Sequence, residues 1–152
     1  MSMAKYSFVA AAGLLAFAPG LAQAEDAQVI TLTQTPCQFL EPEGMDHAYS
    51  SSKKADCVAI NEKTAEERLG KAKVIELKPG KTIFRVTNKN VSYPLGFYFR
   101  GSGVVNFASL PKVSGGGLAT GVTKDYEIDL KPGEYVFSCP LNNTPDYKVV
   151  VN

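Results

Sequence analysis

Histidine and tryptophan are nearly absent from the sequence. Its 152 residues contain one histidine, His47, and no tryptophan. A site that requires two histidines therefore cannot be built from one copy of the chain. An excess of charge of one sign is also lacking: residues 25–152 carry 15 acidic side chains and an equal number of basic ones, because Lys5 is the only charge before them. This balance argues against nucleic-acid binding and against electrostatic attachment to a membrane.

The sequence also lacks an apolar run long enough to span a membrane. Its longest apolar stretch begins at Tyr6, and Pro19 interrupts it before the roughly 20 residues that a spanning helix requires. The stretch ends in Ala-Gln-Ala at Ala24, which has the small residues of a cleavage site. These features predict a signal peptide over 1–24, an exported, periplasmic domain over 25–152, and no membrane insertion after cleavage.

Short β-strand patterns separated by turn residues dominate the second half of the chain. Segments 72–88 and 123–139 share the order strand, Lys-Pro-Gly turn, strand, in which proline presets φ and glycine accepts a positive φ. Further strand patterns occur at 27–37, 95–101, 102–110 and 146–152. The glycine-rich segment 111–121 is expected to be a mobile surface loop beside the end of a sheet, where it would be available to contact a partner. Some seven short strands with regular turns predict a Greek-key β-sandwich.

Residues 41–71 interrupt this pattern and are interpreted as an insertion, a name kept below for that range. Segment 41–56 is polar and rich in turn residues, which is typical of a loop. Good helix formers follow and predict a short helix between about 55 and 69, with Asn61 and Gly70 as candidate caps.

Two motifs, PGKTIFRVTN at 79–88 and PGEYVFSC at 132–139, follow a strand that carries Cys37. This order resembles the cupredoxin-like domain of EfeO-type periplasmic iron-uptake proteins, over about residues 27–40 and 72–152. The resemblance implies an all-β, cupredoxin-like Greek-key β-sandwich with a short inserted helix. It also implies binding of a transition metal, copper or iron, together with a periplasmic or inner-membrane component of a metal transporter.

The chain departs from the blue-copper members of this fold at the ligand positions. Those members use a histidine after the asparagine that corresponds to Asn88, and a second histidine beyond the terminal cysteine, usually with a methionine. Neither histidine nor methionine occurs in segments 89–99 and 140–152. This difference excludes a blue-copper electron-transfer site.

The three cysteines allow two competing arrangements. In an exported protein at most one disulfide forms among them, and one sulfur is left over. Pairing of Cys37 with Cys57 would clip the insertion to the sheet and add about 3 kcal/mol of stability. The resemblance instead places Cys37 beside Cys139, where two thiolates would hold copper(I). Because Cys37 cannot serve both, the structural disulfide and the two-cysteine metal site are alternatives.

A second group of possible ligands lies at the start of the insertion. The segment EPEGMDHAY brings together the potential donors Glu41, Glu43, Met45, Asp46 and His47. Histidine with carboxylates binds iron(III), copper(II) or zinc, and methionine adds affinity for copper(I). The spacing matches no defined motif, and a solvated polar loop is the alternative. His47 is the residue through which a metal site here would be tested.

Two classes of function are compatible with these residues. The first is a small periplasmic protein that binds or handles copper or iron, with a membrane transport system as its partner, and performs no catalysis. The second is a metal-free partner-binding module that retains the cupredoxin fold with a structural disulfide. A thiol enzyme using Cys139 would need a base at a recognisable spacing, and the sequence offers none.

Overall fold

The computed structural model describes residues 26–152, so the predicted signal peptide lies outside the described residues. Within that range the strands form one four-stranded and one five-stranded sheet. The first sheet has the order β2 (Gln38–Phe39), β1 (Gln28–Thr35), β4 (Gly80–Asn88), β7 (Thr123–Leu130). The second has the order β3 (Ile75–Leu77), β9 (Tyr147–Val151), β8 (Gly133–Ser138), β5 (Leu95–Gly101), β6 (Val113–Leu118). The predicted β-sandwich is confirmed.

The hydrophobic core lies between the two sheets because alternate residues of the strands face it. In β4, Phe84, Val86 and Asn88 are buried, and the residues between them are more exposed. The ring of Phe84 packs against Phe97 and Phe99 of β5, with centroids 5.4 and 4.6 Å apart. Burial of these apolar rings is the main favourable term in the stability of the sandwich.

Parallel pairing of β1 with β4 determines which loops meet at one end of the sandwich. Gln34, near the end of β1, is in register with Asn88, the last residue of β4. The loop from β4 to β5 is anchored by the Asn88 side chain, whose Nδ2 donates to the carbonyls of Val91, Tyr93 and Leu118. The turn after β1 and the loop before β5 are therefore neighbours.

Three helices lie within the described residues: α1 (Leu40–Glu43), α2 (Lys54–Lys71) and α3 (Gly103–Ser109). The predicted inserted helix corresponds to α2, but the prediction that Asn61 caps its start is wrong. The Asp56 carboxylate accepts the N–H groups of Ser52 and Lys53 at the N-terminus, and Asn61 lies buried in the middle of the helix. Gly70 lies inside the last turn and is not a cap. No helix within residues 26–152 is both long and apolar enough to cross a membrane.

Two predictions between 102 and 121 are also wrong. Segment 102–110, predicted as a strand, contains α3, which packs so closely on Gly101 that a Cβ there would collide with the helix backbone. The glycine-rich segment, predicted as a loop, contains strand β6. Gly115 of this strand is needed for close packing, since a Cβ there would lie 2.9 Å from the ring of Tyr126. Gly96 of β5 is needed for the same reason, since its Cβ would lie 2.7 Å from the Gly115 carbonyl oxygen.

Candidate functional site

All three cysteines gather at one end of the sandwich. Cys37 follows β1, Cys139 follows β8, and Cys57 lies in the first turns of α2. Cys37 and Cys57 form a disulfide with their Cα atoms 4.9 Å apart. Of the two arrangements predicted for Cys37, the structure contains this one. A Cys37–Cys139 metal pair would require that the disulfide first be reduced.

Asn142 connects the disulfide to the third cysteine. The backbone N–H of Cys37 donates to Asn142 Oδ1 at 2.9 Å, and the same oxygen lies 3.5 Å from Cys57 Sγ. Asn142 Nδ2 donates to the carbonyl of Thr35 at 2.9 Å and lies 3.3 Å from Gln34 Oε1. The name rim is used below for Cys37, Cys57, Cys139 and Asn142, all of which are fully buried.

The backbone of Cys37 is held in an uncommon conformation by its neighbours. Its φ of 69° lies in the left-handed region, which non-glycine residues seldom adopt. Asn142 accepts its N–H, and its carbonyl accepts from Asn61 Nδ2 at 3.3 Å and Arg68 Nη2 at 3.1 Å. Residues of α2 and of the loop after β8 therefore fix the disulfide from both sides.

Cys139 is the one free cysteine within the described residues. The backbone N–H of Gly96 donates to its Sγ at 3.4 Å and that of Asn142 at 3.3 Å. Burial raises the pKa of the Cys139 thiol, and these N–H groups offset the effect in part. The thiol is therefore protonated at neutral pH, and none of the groups of residues 26–152 that hydrogen-bond to it is a base.

The donor set at the rim does not fit a copper ion. One sulfur is a buried thiol, the two others are bonded to each other, and the carboxamide of Asn142 is engaged by backbone and side-chain partners. No group of three or more histidine, cysteine, aspartate or glutamate residues within 26–152 has a metal-binding arrangement. Copper(I) would need at least one further soft or imidazole ligand beside Cys139.

The predicted ligands of the insertion are divided among different tasks. Glu41 Oε2 accepts the backbone N–H of Thr33 at 2.7 Å, and Asp46 Oδ1 accepts that of Ala48 at 2.8 Å. Met45 is 56% exposed. The remaining two, Glu43 and His47, belong to a hydrogen-bond network with residues of α2 and β9.

Glu43 is the centre of a buried polar network. Arg68 donates to its carboxylate from Nη2 at 2.6 Å and Nε at 2.9 Å, His47 Nε2 lies 2.7 Å from Oε2, and the Tyr147 hydroxyl donates to Oε1. Burial raises the pKa of Glu43, but the hydrogen bonds from Arg68, Tyr147 and His47 outweigh burial and hold it below its usual value. Glu43 is thus ionised at neutral pH.

Arg68 and Tyr147 were not found by sequence reasoning. Tyr147 lies 104 positions from Glu43 in the chain, and Arg68 lies 25 positions away. One usable signal existed for Arg68: it is seven residues after Asn61 on one helix, and residues with that spacing share a face. The Arg68 Nη1 group does donate to Asn61 Oδ1.

An open groove of about 670 Å³ lies beside the rim on the outer face of the five-stranded sheet. Gly96 and Tyr98 of β5 contribute to its lining, with glycines of β6 and the Pro140–Leu141 segment that follows Cys139. Leu141 is 45% exposed. The groove is therefore mostly apolar and is adjacent to the residues that follow the buried thiol.

No protein-family model and no curated protein sequence matches the chain. Among solved structures, auracyanin B has a TM-score of 0.50 at 10% identity, with 86% of this chain and 93% of that chain covered. A reduced Cu(I) form of an amicyanin mutant has a TM-score of 0.44 at 14% identity, covering 86% and 88% of the two chains. Lac15 from a marine microbial metagenome has a TM-score of 0.42 at 14% identity, covering 96% of this chain and 32% of that one.

The similarity to auracyanin B and the two packed sheets define a cupredoxin-like β-sandwich. At this level of identity the similarity concerns the fold alone. The narrower resemblance to iron-uptake domains stays a prediction.

Proposed function

We propose that the protein is an exported binding module that keeps the cupredoxin-like fold and has a structural disulfide at its rim in place of a metal ion. The observation that carries the proposal is the position of Asn142. Its Oδ1 accepts the backbone N–H of Cys37, and its own backbone N–H donates to the sulfur of the free thiol, Cys139. A metal ion on Cys139 would need further ligands, but Cys37 and Cys57 are bonded to each other. The Asn142 carboxamide is already hydrogen-bonded on both of its atoms, and its use as a ligand would leave buried polar groups unpaired, which costs about 1–3 kcal/mol for each group.

Binding, as opposed to catalysis, is also supported by the surroundings of Cys139. A nucleophilic thiol needs exposure and a base or positive charge that lowers its pKa. Cys139 is fully buried, and burial raises its pKa. The Gln34 side chain, which hydrogen-bonds to the Cys139 sulfur, is uncharged.

We place the binding surface at the groove beside Leu141, and the proposed partner is a component of a membrane transport system. Support for the surface comes from its apolar lining and from the exposure of Leu141 next to a rigid, disulfide-fixed rim. Support for the partner comes from the motifs shared with iron-uptake domains. Export is supported by the signal-like segment 1–24 and by the disulfide, which persists in oxidising compartments.

The metal-free rim is tested by titrating the oxidised protein with copper(I), copper(II) and iron(III), side by side with the Cys139→Ser variant. We expect the two proteins to take up the same amount of each metal with the same affinity. Loss of a bound ion in the variant would overturn the proposal, because it would show that the thiol is a ligand.

The groove is tested with a photo-crosslinking residue at position 141 in cells that express the transport components. Val29 is the matched control, since it is 47% exposed and lies at the start of β1, while the rim lies beyond the end of that strand. We expect a crosslink to a transport component from position 141 and none from position 29, and we expect Leu141→Glu to abolish the interaction. Equal labelling from both positions would contradict this surface.

A further inference from the structure

We propose that Met45 and His47 form a binding site for one copper(I) ion on the insertion, with ligands distinct from the rim cysteines. This inference goes beyond the proposed function and does not depend on it. The two side chains line the same cavity of about 270 Å³, together with Tyr49, Arg68 and other residues of α2.

The hydrogen bond to Glu43 determines which nitrogen of His47 is free. A carboxylate only accepts hydrogen bonds, so Nε2 of His47 carries the proton that is shared with Glu43 Oε2 at 2.7 Å. In the neutral imidazole, Nδ1 then has a lone pair, and within residues 26–152 this nitrogen has no hydrogen-bond partner. Histidine ligands of metal ions are typically oriented in this way, with the other ring nitrogen bonded to a carboxylate.

The carboxylate that orients His47 is itself fixed. The side chain of Glu43 is 2% exposed, and Arg68 holds it through two hydrogen bonds, with Tyr147 as a further donor. The ring of His47 also stacks on Tyr49, with centroids 5.3 Å apart and planes inclined by 15°. These contacts fix the imidazole before any ion binds, which reduces the entropic cost of binding.

The backbone between the two proposed ligands is held by a single buried side chain. Gln38 Nε2 donates to the carbonyl of Met45 at 2.8 Å, and Gln38 Oε1 accepts the N–H of His47 at 2.9 Å. Gln38 is fully buried. Residues 45–47 form neither a helix nor a strand, but Gln38 of β2 holds their backbone at both proposed ligands, Met45 and His47.

The chemistry of the two donors selects the ion. A thioether is a soft ligand and an imidazole is of intermediate character, and this combination suits copper(I) better than zinc or iron(III). Met45 is 56% exposed despite its apolar side chain, so solvent reaches this residue. The charged side chains nearest the cavity balance, since Glu43 pairs with Arg68 and Glu67 pairs with Lys71 at 2.5 Å. Two protein donors leave further positions on the ion open, so the bound copper would be exchangeable.

The test is an anaerobic titration of the exported protein with copper(I) in competition with a chromogenic copper(I) chelator. Met45 is the only methionine and His47 the only histidine after position 24, so each variant removes one donor type completely. We expect one ion per chain, an affinity reduced by about tenfold or more in Met45→Leu and in His47→Gln, and unchanged affinity in Cys139→Ser.

A structural role of His47 is separated from ligation by two further readouts. Glutamine at position 47 retains an N–H donor for Glu43, so the thermal midpoint of the apo-variant shows whether the fold survives. In the wild-type protein, nitrogen NMR of the ring is expected to show a copper(I)-dependent shift at Nδ1 and a much smaller one at Nε2. Absence of copper binding, unchanged affinity in both Met45→Leu and His47→Gln, or a shift confined to Nε2 would each overturn the site. Loss of binding in Cys139→Ser alone would overturn the metal-free rim as well.

Discussion

The backbone N–H of Asn142 lies 3.3 Å from the sulfur of Cys139 and donates to it, although the two residues are separated by a proline and a leucine. Thr144 closes the same loop, since its hydroxyl accepts the N–H of Cys139 and its own N–H donates to the Cys139 carbonyl. The carboxamide of Asn142 reaches from this loop to the turn after β1. The loop after β8 thus connects the buried thiol to the turn that carries Cys37.

Replacement of Asn142 by alanine should strongly destabilise the protein. The variant leaves the N–H of Cys37 and the carbonyl of Thr35 without a partner in a buried environment. We expect a loss of about 2–4 kcal/mol in the free energy of unfolding, measured by urea denaturation with far-UV circular dichroism. Asn143→Gly is the matched control, because Asn143 has a φ of 45° that glycine accepts readily. Equal stability of Asn142→Ala and the control would show that the hydrogen bonds of the Asn142 side chain do not stabilise the fold.

The disulfide should stabilise the fold mainly by restricting the unfolded chain. Cys37 and Cys57 are 20 positions apart, and closing a loop of that length is worth about 3 kcal/mol. We expect the double variant Cys37→Ser/Cys57→Ser to lose about this amount in urea denaturation. The fold should persist, because the core between the sheets is unchanged. A loss under about 1 kcal/mol would indicate that contacts of the Cys37 backbone, and not the covalent bond, fix the insertion.

The sheets were predictable because local patterns decide them. The strand over Gly80–Asn88 alternates between buried and less buried residues. Each of the two Lys-Pro-Gly turns, centred on positions 79 and 132, ends at the residue where the next strand begins. The pattern over 102–110 was misleading because Val104 and Val105 are β-branched, yet α3 buries none of its residues and exposes both valines. Strand propensity has little influence where no sheet is available to pair with.

The rim and the Glu43 network depend on contacts between residues that are far apart in sequence. Asn142 meets Cys37 across 105 positions, and Tyr147 meets Glu43 across 104. A single sequence contains no local periodicity that links such positions. The competition for Cys37 was nevertheless visible from the cysteine count, since three sulfurs permit one pair. The sequence did not show why Cys37 pairs with Cys57 and not with Cys139. In the structure, Asn142, Asn61 and Arg68 hold the backbone of Cys37 by hydrogen bonds in the position where it pairs with Cys57.

The Cys139 thiol should be unreactive in the folded protein. It is fully buried, and burial raises its pKa, so little thiolate is available to an alkylating reagent. We expect iodoacetamide at neutral pH to modify the native protein about 100-fold or more slowly than the urea-unfolded protein, in which one thiol reacts without reductant. Leu141→Cys in a Cys139→Ser background is the control, because position 141 is 45% exposed. Native Cys139 reacting as fast as this control would contradict the buried thiol and would reopen the enzymatic interpretation.

Acid should weaken the stabilisation that the Glu43 network provides. The pKa of Glu43 is lower in the folded protein than its unfolded value of about 4.3, so its ionised form stabilises the fold fully above that value. This contribution is lost as the pH falls through the folded-state pKa. We expect Glu43→Gln to be less stable than the wild-type protein by about 3 kcal/mol at pH 7, since it leaves Arg68 buried without its charge partner, and the difference should shrink as the pH falls below 4. Urea denaturation at a series of pH values measures this difference in the free energy of unfolding.

Glu67→Gln is the control, because Glu67 pairs with Lys71 in an exposed position, so that its replacement should have little effect on stability at any pH. A difference that stays constant from pH 7 to pH 3 would mean that the charge of Glu43 does not stabilise the network.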